Sequence, residues 1–169
     1  MGSTYVNNLR LEEMTTGEKS GTWGNITNVN LELVGQALGY GTRAIADAST
    51  DNITIADGAS DADRSMYLKL TGGGQACTIT LLPNTSSKMW IMENATSYTL
   101  TFSQGTGANV AIKAGQTKMI FADGLGGGAV VYELGTIAVQ NIQADGTVTV
   151  GIDDTGYDVT FFGATTGKK

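Results

Sequence analysis

The chain has 169 residues, a formal net charge of −6, 24 glycines and a single proline. An acidic balance without any Lys/Arg run argues against nucleic acid or an anionic membrane as partner, and the complete lack of histidine excludes Ser-His-Asp and Cys-His catalysis, the usual zinc sites and imidazole pH switches. Charged residues are only 15%, Gly is abundant, and Thr, Asn and Ser supply most of the polarity, which predicts a mainly β chain with one ordinary domain plus appendages.

From Met1 to Ser20 the hydrophobes Tyr5, Val6, Leu9, Leu11 and Met14 are too scattered to form a core. Residues 1–24 therefore suit an arm that lies on a neighbouring chain, with unfolded chain as the plainer alternative. The segment lacks an apolar run of signal-peptide length, and nowhere do 18 consecutive apolar residues occur. A soluble protein made in the cytoplasm, with no membrane insertion, is expected.

Gly21 to Gly39 alone has a helical apolar period. Ile26, Val29, Leu33 and Ala37 recur as a stripe, with Leu31, Val34 and Leu38 flanking it. Asn25 as N-cap and Gly39 as stop predict a helix over 25–39. A helix of about four turns is marginal alone in water, so its stripe must pack on the rest of the chain or on sister copies. Trp23, beside two glycines, is expected to lock the helix to its surroundings.

Residues 40–51 read as a connector, punctuated by Gly39-Tyr40-Gly41. From Asn52 the period becomes two. Ile53 and Ile55, then Met66, Leu68 and Leu70, then Cys77, Ile79 and Leu81 face one way, and Pro83 ends that last run. Cys77, the sole cysteine, reads as a small buried hydrophobe, and no disulfide within the chain is possible. Met89 to Met92 is apolar on both faces and is the candidate central strand, with Trp90 in the core. Tyr98, Leu100 and Phe102, Val110 and Ile112, Thr117 to Ala122, and Val130 to Tyr132 complete about seven short strands separated by turn signals. This pattern predicts an antiparallel β-sandwich or barrel over 52–134.

Residues 135–169 hold two alternating segments, Thr147 to Ile152 and Tyr157 to Phe162, around Asp153-Asp154-Thr155-Gly156. A two-stranded ribbon cannot cover its own apolar face, so a β-stem segment shared by several copies, three by expectation, is the simplest reading. The expected contacts between copies are Trp23, Ile26, Val29, Leu33, Ala37, Val148, Val150, Val159 and Phe161.

Other features carry little chemistry. The acidic turn Asp57 to Asp63 lacks the ligand order and terminal Glu of a calcium loop, and reads as a solvated turn with Arg64 pairing locally. Asp153-Asp154 likewise reads as a turn. Gly72-Gly73-Gly74 and Gly126-Gly127-Gly128 lack the Gly-Lys-Ser/Thr ending of a phosphate loop. No catalytic, cofactor-binding or metal-binding residue is assigned, so no enzyme activity and no cofactor are expected.

Several phrases, in order, carry a family resemblance: S-T-Y-V-N-N-L-R-L-E-E-M at the start, G-E-K-S-G-T-W-G-N-I-T-N-V-N-L-E-L-V at 17–34, I-A-D-G-A-S-D-A-D-R-S-M-Y-L-K-L, W-I-M-E-N-A-T, Q-G-T-G-A-N-V-A-I-K-A-G, and G-I-D-D-T-G-Y-D-V-T-F-F-G-A-T-T-G near the end. Together they resemble the N-terminal parts of bacteriophage tail-fibre and related virion structural proteins, especially of marine phages. The resemblance implies a virion anchor, a small β-domain and the start of a trimeric stem, located in the tail and used in host attachment. Its implied partners are sister copies, other tail or capsid proteins, and a host surface glycan. A head-attached fibre or capsid decoration protein, or a carbohydrate-binding module, is the alternative.

Overall fold

The structure, a computed structural model, describes residues 2–135 and 145–147. Met1–Gly135 forms one compact unit and Thr136–Lys169 a second. The expected stem contacts Val148, Val150, Val159 and Phe161 lie outside the described residues.

In the first unit, helix α1 (Trp23–Ala37) is followed by nine strands: β1 (Tyr40–Ile45), β2 (Thr50–Thr54), β3 (Tyr67–Gly72), β4 (Cys77–Leu82), β5 (Lys88–Asn94), β6 (Leu100–Ser103), β7 (Val110–Ile112), β8 (Thr117–Ala122) and β9 (Val131–Glu133). Short 3-10 turns stand at Ala62–Arg64 and Gly126–Gly128. The helix begins two residues before the expected Asn25, with Thr22 at the cap position, and ends at Ala37, two residues short of the expected Gly39. The stretch expected to be a connector contains β1, and the mainly β character is as the composition implies.

The strands form two mixed sheets, ordered β1-β3-β5-β8-β9 and β2-β4-β6-β7. The first six strands alternate between the sheets, and within each sheet they pair in parallel, β1 with β3 and β3 with β5, β2 with β4 and β4 with β6. The remaining pairs among these nine strands, β5 with β8, β6 with β7 and β8 with β9, are antiparallel. The expected antiparallel strand arrangement is thus corrected: the chain winds between two mixed sheets, and in each sheet one strand, β8 or β7, runs against the parallel ones. The physical reason lies in the turns. Gly72 and Gly73, at φ of 72° and 68°, lead the chain from β3 of one sheet to β4 of the other instead of back alongside β3. Alternation in sequence records which face a residue occupies and is blind to the direction of its partner strand.

The core lies between the sheets. Leu68, Leu70, Trp90, Met92 and Ile120 from one sheet meet Ile53, Ile79, Leu81, Leu100, Phe102 and Ile112 from the other, all essentially inaccessible. Burying each such side chain contributes roughly 1.5–3 kcal/mol. β5 is the middle strand of its sheet, as its doubly apolar sequence suggests, and Trp90 points inward with its Nε1–H donating to the Asp63 carbonyl at 3.1 Å. Cys77 is buried, as expected, and burial raises the pKa of its thiol. Gly41 in β1 has to be glycine, because a Cβ there would stand 2.6 Å from Ser65 Oγ and 2.7 Å from the Ala62 carbonyl. That close approach seats the first 3-10 turn against the sheet.

Candidate functional site

The outer faces of the two sheets differ sharply. On the second sheet, Thr50, Thr78, Thr101 and Ala111 fall in one cross-strand row, with Asn52, Thr80 and Ser103 in the next. This is an ordinary solvated face. On the first sheet, Tyr40, Tyr67, Ile91 and Met119 form a row, and Met89, Phe121 and Tyr132 form a second. Leu134, whose N–H donates to the Met119 carbonyl, extends the first row. Tyr40, Phe121, Tyr132 and Leu134 are all exposed. Tyr40 and Tyr67 stack with centroids 5.5 Å apart.

One charged cluster crosses this apolar face. Glu93 accepts from Lys69 Nζ at 2.7 Å and from the Tyr67 hydroxyl at 2.9 Å. These bonds hold the Glu93 carboxyl below its usual range and raise the pKa of both Lys69 and Tyr67. The charges are mutually satisfied and leave the tyrosine and phenylalanine rings as the accessible feature.

Helix α1 has two apolar sides. Leu33 and Ala37 are only 3% and 4% exposed, so these two expected contacts between copies are buried in the chain's own fold. Ile26 is half-buried beside them and Val29 is exposed. Trp23, expected to lock the helix in place, is instead 63% exposed, and Leu31 and Leu38 are exposed to 64% and 67%. A cleft of about 360 Å³ lined by Leu38, Gly39, Tyr40, Met66, Tyr67 and Ile91 joins the end of the helix to the outer face of the first sheet.

The N-terminal arm lies on its own domain. Thr4 and Glu13 form an antiparallel bridge, Asn30 holds Glu12 by two main-chain bonds of 2.9 and 3.0 Å, and Asn8 Oδ1 accepts from the Ser87 N–H at 2.9 Å. The acidic turn shows why. Arg64 is fully buried and donates to the carbonyls of Leu9, Ala56 and Ala59 and to the Asp61 carboxylate. Asp61 also caps the 3-10 turn through the Arg64 N–H. Next to it, Asp63 accepts from Arg43 and from the Thr54 N–H, and Arg43 also reaches Asp51. Burial raises the Asp63 pKa although Arg43 pulls it down, and burial lowers that of Arg64. Instead of a solvated turn, the carboxylates anchor arginines, and the expected local pairing of Arg64 is present. Among the described residues no cluster of carboxylates or thiolates is gathered as a metal centre requires.

A second cleft, of about 560 Å³, lies where Arg10 of the arm pairs with Asp57 at 2.6 Å above Ile55, Leu82 and Pro83. Its wall is mostly apolar, and it gathers no pair of groups suited to proton transfer or nucleophilic attack.

Set against known proteins, the chain matches no family model, no curated protein and no solved structure. The fold is that of a mainly β protein with two mixed sheets and one short helix among the described residues. No helix among them is long and apolar enough to cross a membrane.

Proposed function

We propose that the chain is a bacteriophage virion structural protein that forms or anchors an oligomeric tail fibre used in host attachment. The observation that carries the reading is the unequal surface. A chain of net charge −6 keeps one sheet face covered with threonine and leaves the other, with the adjoining helix side, covered with tyrosine, phenylalanine and leucine. A monomer in solution gains nothing from such a face, whereas an assembly subunit needs one. The resemblance of the ordered phrases to tail-fibre proteins gives the assembly its identity. The role is structural, the partners are sister copies and neighbouring tail proteins, and the location is the virion tail.

Immunogold labelling of purified particles with antibody raised against residues 40–134 tests this reading. Gold at the tail or its fibres is expected. Gold on the head points to the capsid-decoration alternative, and particles that remain unlabelled and lack the chain by mass spectrometry overturn the reading.

A further inference from the structure

We infer that the outward side of α1 is a two-heptad seam on which copies of this chain pack helix to helix, in parallel and in register. The inference rests on the oligomeric reading above and names its contact surface. Gly24, Thr27, Leu31, Val34 and Leu38 follow the alternating three-and-four spacing of a and d positions, the pattern that keeps one edge of a helix facing a neighbouring helix. Leu31 and the capping Leu38 are exposed and Gly24, Thr27 and Val34 half-exposed, whereas the residues packed inside the chain, Leu33 and Ala37, lie off this seam, so the helix serves both contacts at once.

Four observations favour a second copy as the occupant. The seam carries no charge, the one ionised residue of the helix being Glu32, so acidic chains can meet there without like-charge repulsion. Any polar demand is already met within the helix, since the Thr27 hydroxyl donates to the Trp23 carbonyl at 3.0 Å and takes only its methyl group to the contact. Gly24 on the seam and Gly35 beside it are helical positions where an added Cβ would meet nothing within 4 Å. The chain's own packing does not require these glycines, and glycine weakens a helix, whereas close approach of another helix backbone gives them a purpose.

Area is the fourth. The cleft at Leu38 joins the seam to the tyrosine rows of the first sheet, so contact need not stop at the helix. An aromatic side chain buries about 150–250 Å². Given the exposure of Trp23, Tyr40, Phe121 and Tyr132, those four alone leave on the order of 400 Å² open per copy. That is about half of what each partner buries in a standard interface, before Leu31, Leu38 and Leu134 are added. In a parallel pair the three-and-four spacing brings each seam residue to the level of its counterpart on the other helix, so Leu31 meets Leu31 and Leu38 meets Leu38.

The test uses the full chain and two variants. Leu31 is exposed, so Leu31→Glu leaves the fold of a single copy intact, and Thr78→Glu on the opposite sheet serves as control. By mass-resolved light scattering at micromolar concentration, the parent and Thr78→Glu are expected as multiples of 17.5 kDa and Leu31→Glu as the single chain, with unchanged circular dichroism. A parent that is itself a single chain sinks both the seam and the oligomeric reading. A parent oligomer whose mass survives Leu31→Glu sinks the seam and leaves that reading standing. Because Cys77 is buried, Leu31→Cys adds the one accessible thiol of the described residues. Mild oxidation is expected to link two copies through position 31. An oligomer that yields no such link overturns the in-register arrangement.

Discussion

The fully buried guanidinium of Arg64 donates to the main-chain carbonyl of Leu9, fifty-five positions earlier in the chain. A charge placed at that depth needs every partner it has, and one of them comes from the arm. Arm and domain are therefore one structure, held by a residue that belongs to the acidic turn.

Arg64→Met is expected to cost about 3–5 kcal/mol, because it strands the Leu9, Ala56 and Ala59 carbonyls and takes from the Asp61 carboxylate its charged partner. Urea unfolding reads the loss. Trypsin should then cut first at Arg10 and Lys19, within the loosened arm. A variant that unfolds at the parent's urea midpoint contradicts this account of the arm.

Asn30→Ala separates the arm from the helix more gently. It removes two bonds to the Glu12 backbone, each worth about 0.5–1.5 kcal/mol net. Hydrogen exchange is expected to quicken at Glu12 and Glu13 while the strands Cys77–Leu82 and Lys88–Asn94 keep their protection. Equal quickening across the strands would mean that the arm is part of the cooperative core.

Leu33 and Ile91 separate inward from outward positions that look alike in sequence. Leu33→Asp buries an unpaired charge and is expected to destabilise the single chain by several kcal/mol. Met92→Ala is expected to cost about 2–5 kcal/mol, while the neighbouring Ile91→Ala, on the outer face, stays below about 1 kcal/mol in the isolated chain. Thermal unfolding of the three variants decides the order, and an Ile91 loss as large as that of Met92 would contradict the assignment of faces.

The same pair shows how far the sequence could be read. Strand existence, the inward sets Leu68 and Leu70 or Cys77, Ile79 and Leu81, and the central place of β5 follow from alternation and composition. Strand direction does not, since Tyr40 opposite Tyr67 and Tyr67 opposite Ile91 are pairings between distant segments that no local pattern encodes. Nor could the apolar stripe of α1 tell which of its two sides turns inward. Leu33 and Leu31 are equally greasy, and the choice is made by the 3-10 turn and the arm that cover one side. Asn94 is fully buried, with its side-chain amide donating to the Tyr98 and Ile112 carbonyls at 2.8 Å and its oxygen accepting from Thr96. A residue type common in turns also satisfies buried main chain, and sequence alone does not separate the two uses.

Lys88 gives a prediction whose sign is set by pH. Its ammonium lies 4.5 Å from the Trp90 ring centroid and donates to the Met89 carbonyl, but burial, with Arg64 nearby, lowers its pKa from 10.5 to about 8 despite the attraction of Asp61. In the unfolded chain it takes up its proton at the ordinary value. Between pH 8 and 10.5 the unfolded state therefore holds a proton that the folded state has shed, and stability from this group rises with pH across that window. Below pH 8 the charged form is carried in the fold at a constant cost. Lys88→Met removes that cost, so the variant is expected to exceed the parent by about 3 kcal/mol at pH 7, with the difference closing by pH 10.5. Groups common to the two proteins cancel in the comparison. Urea midpoints at pH 7, 9 and 10.5 measure it, and a difference that is absent at pH 7 or unchanged across the series would show that the tryptophan ring and the main-chain bond fully offset the burial of the charge.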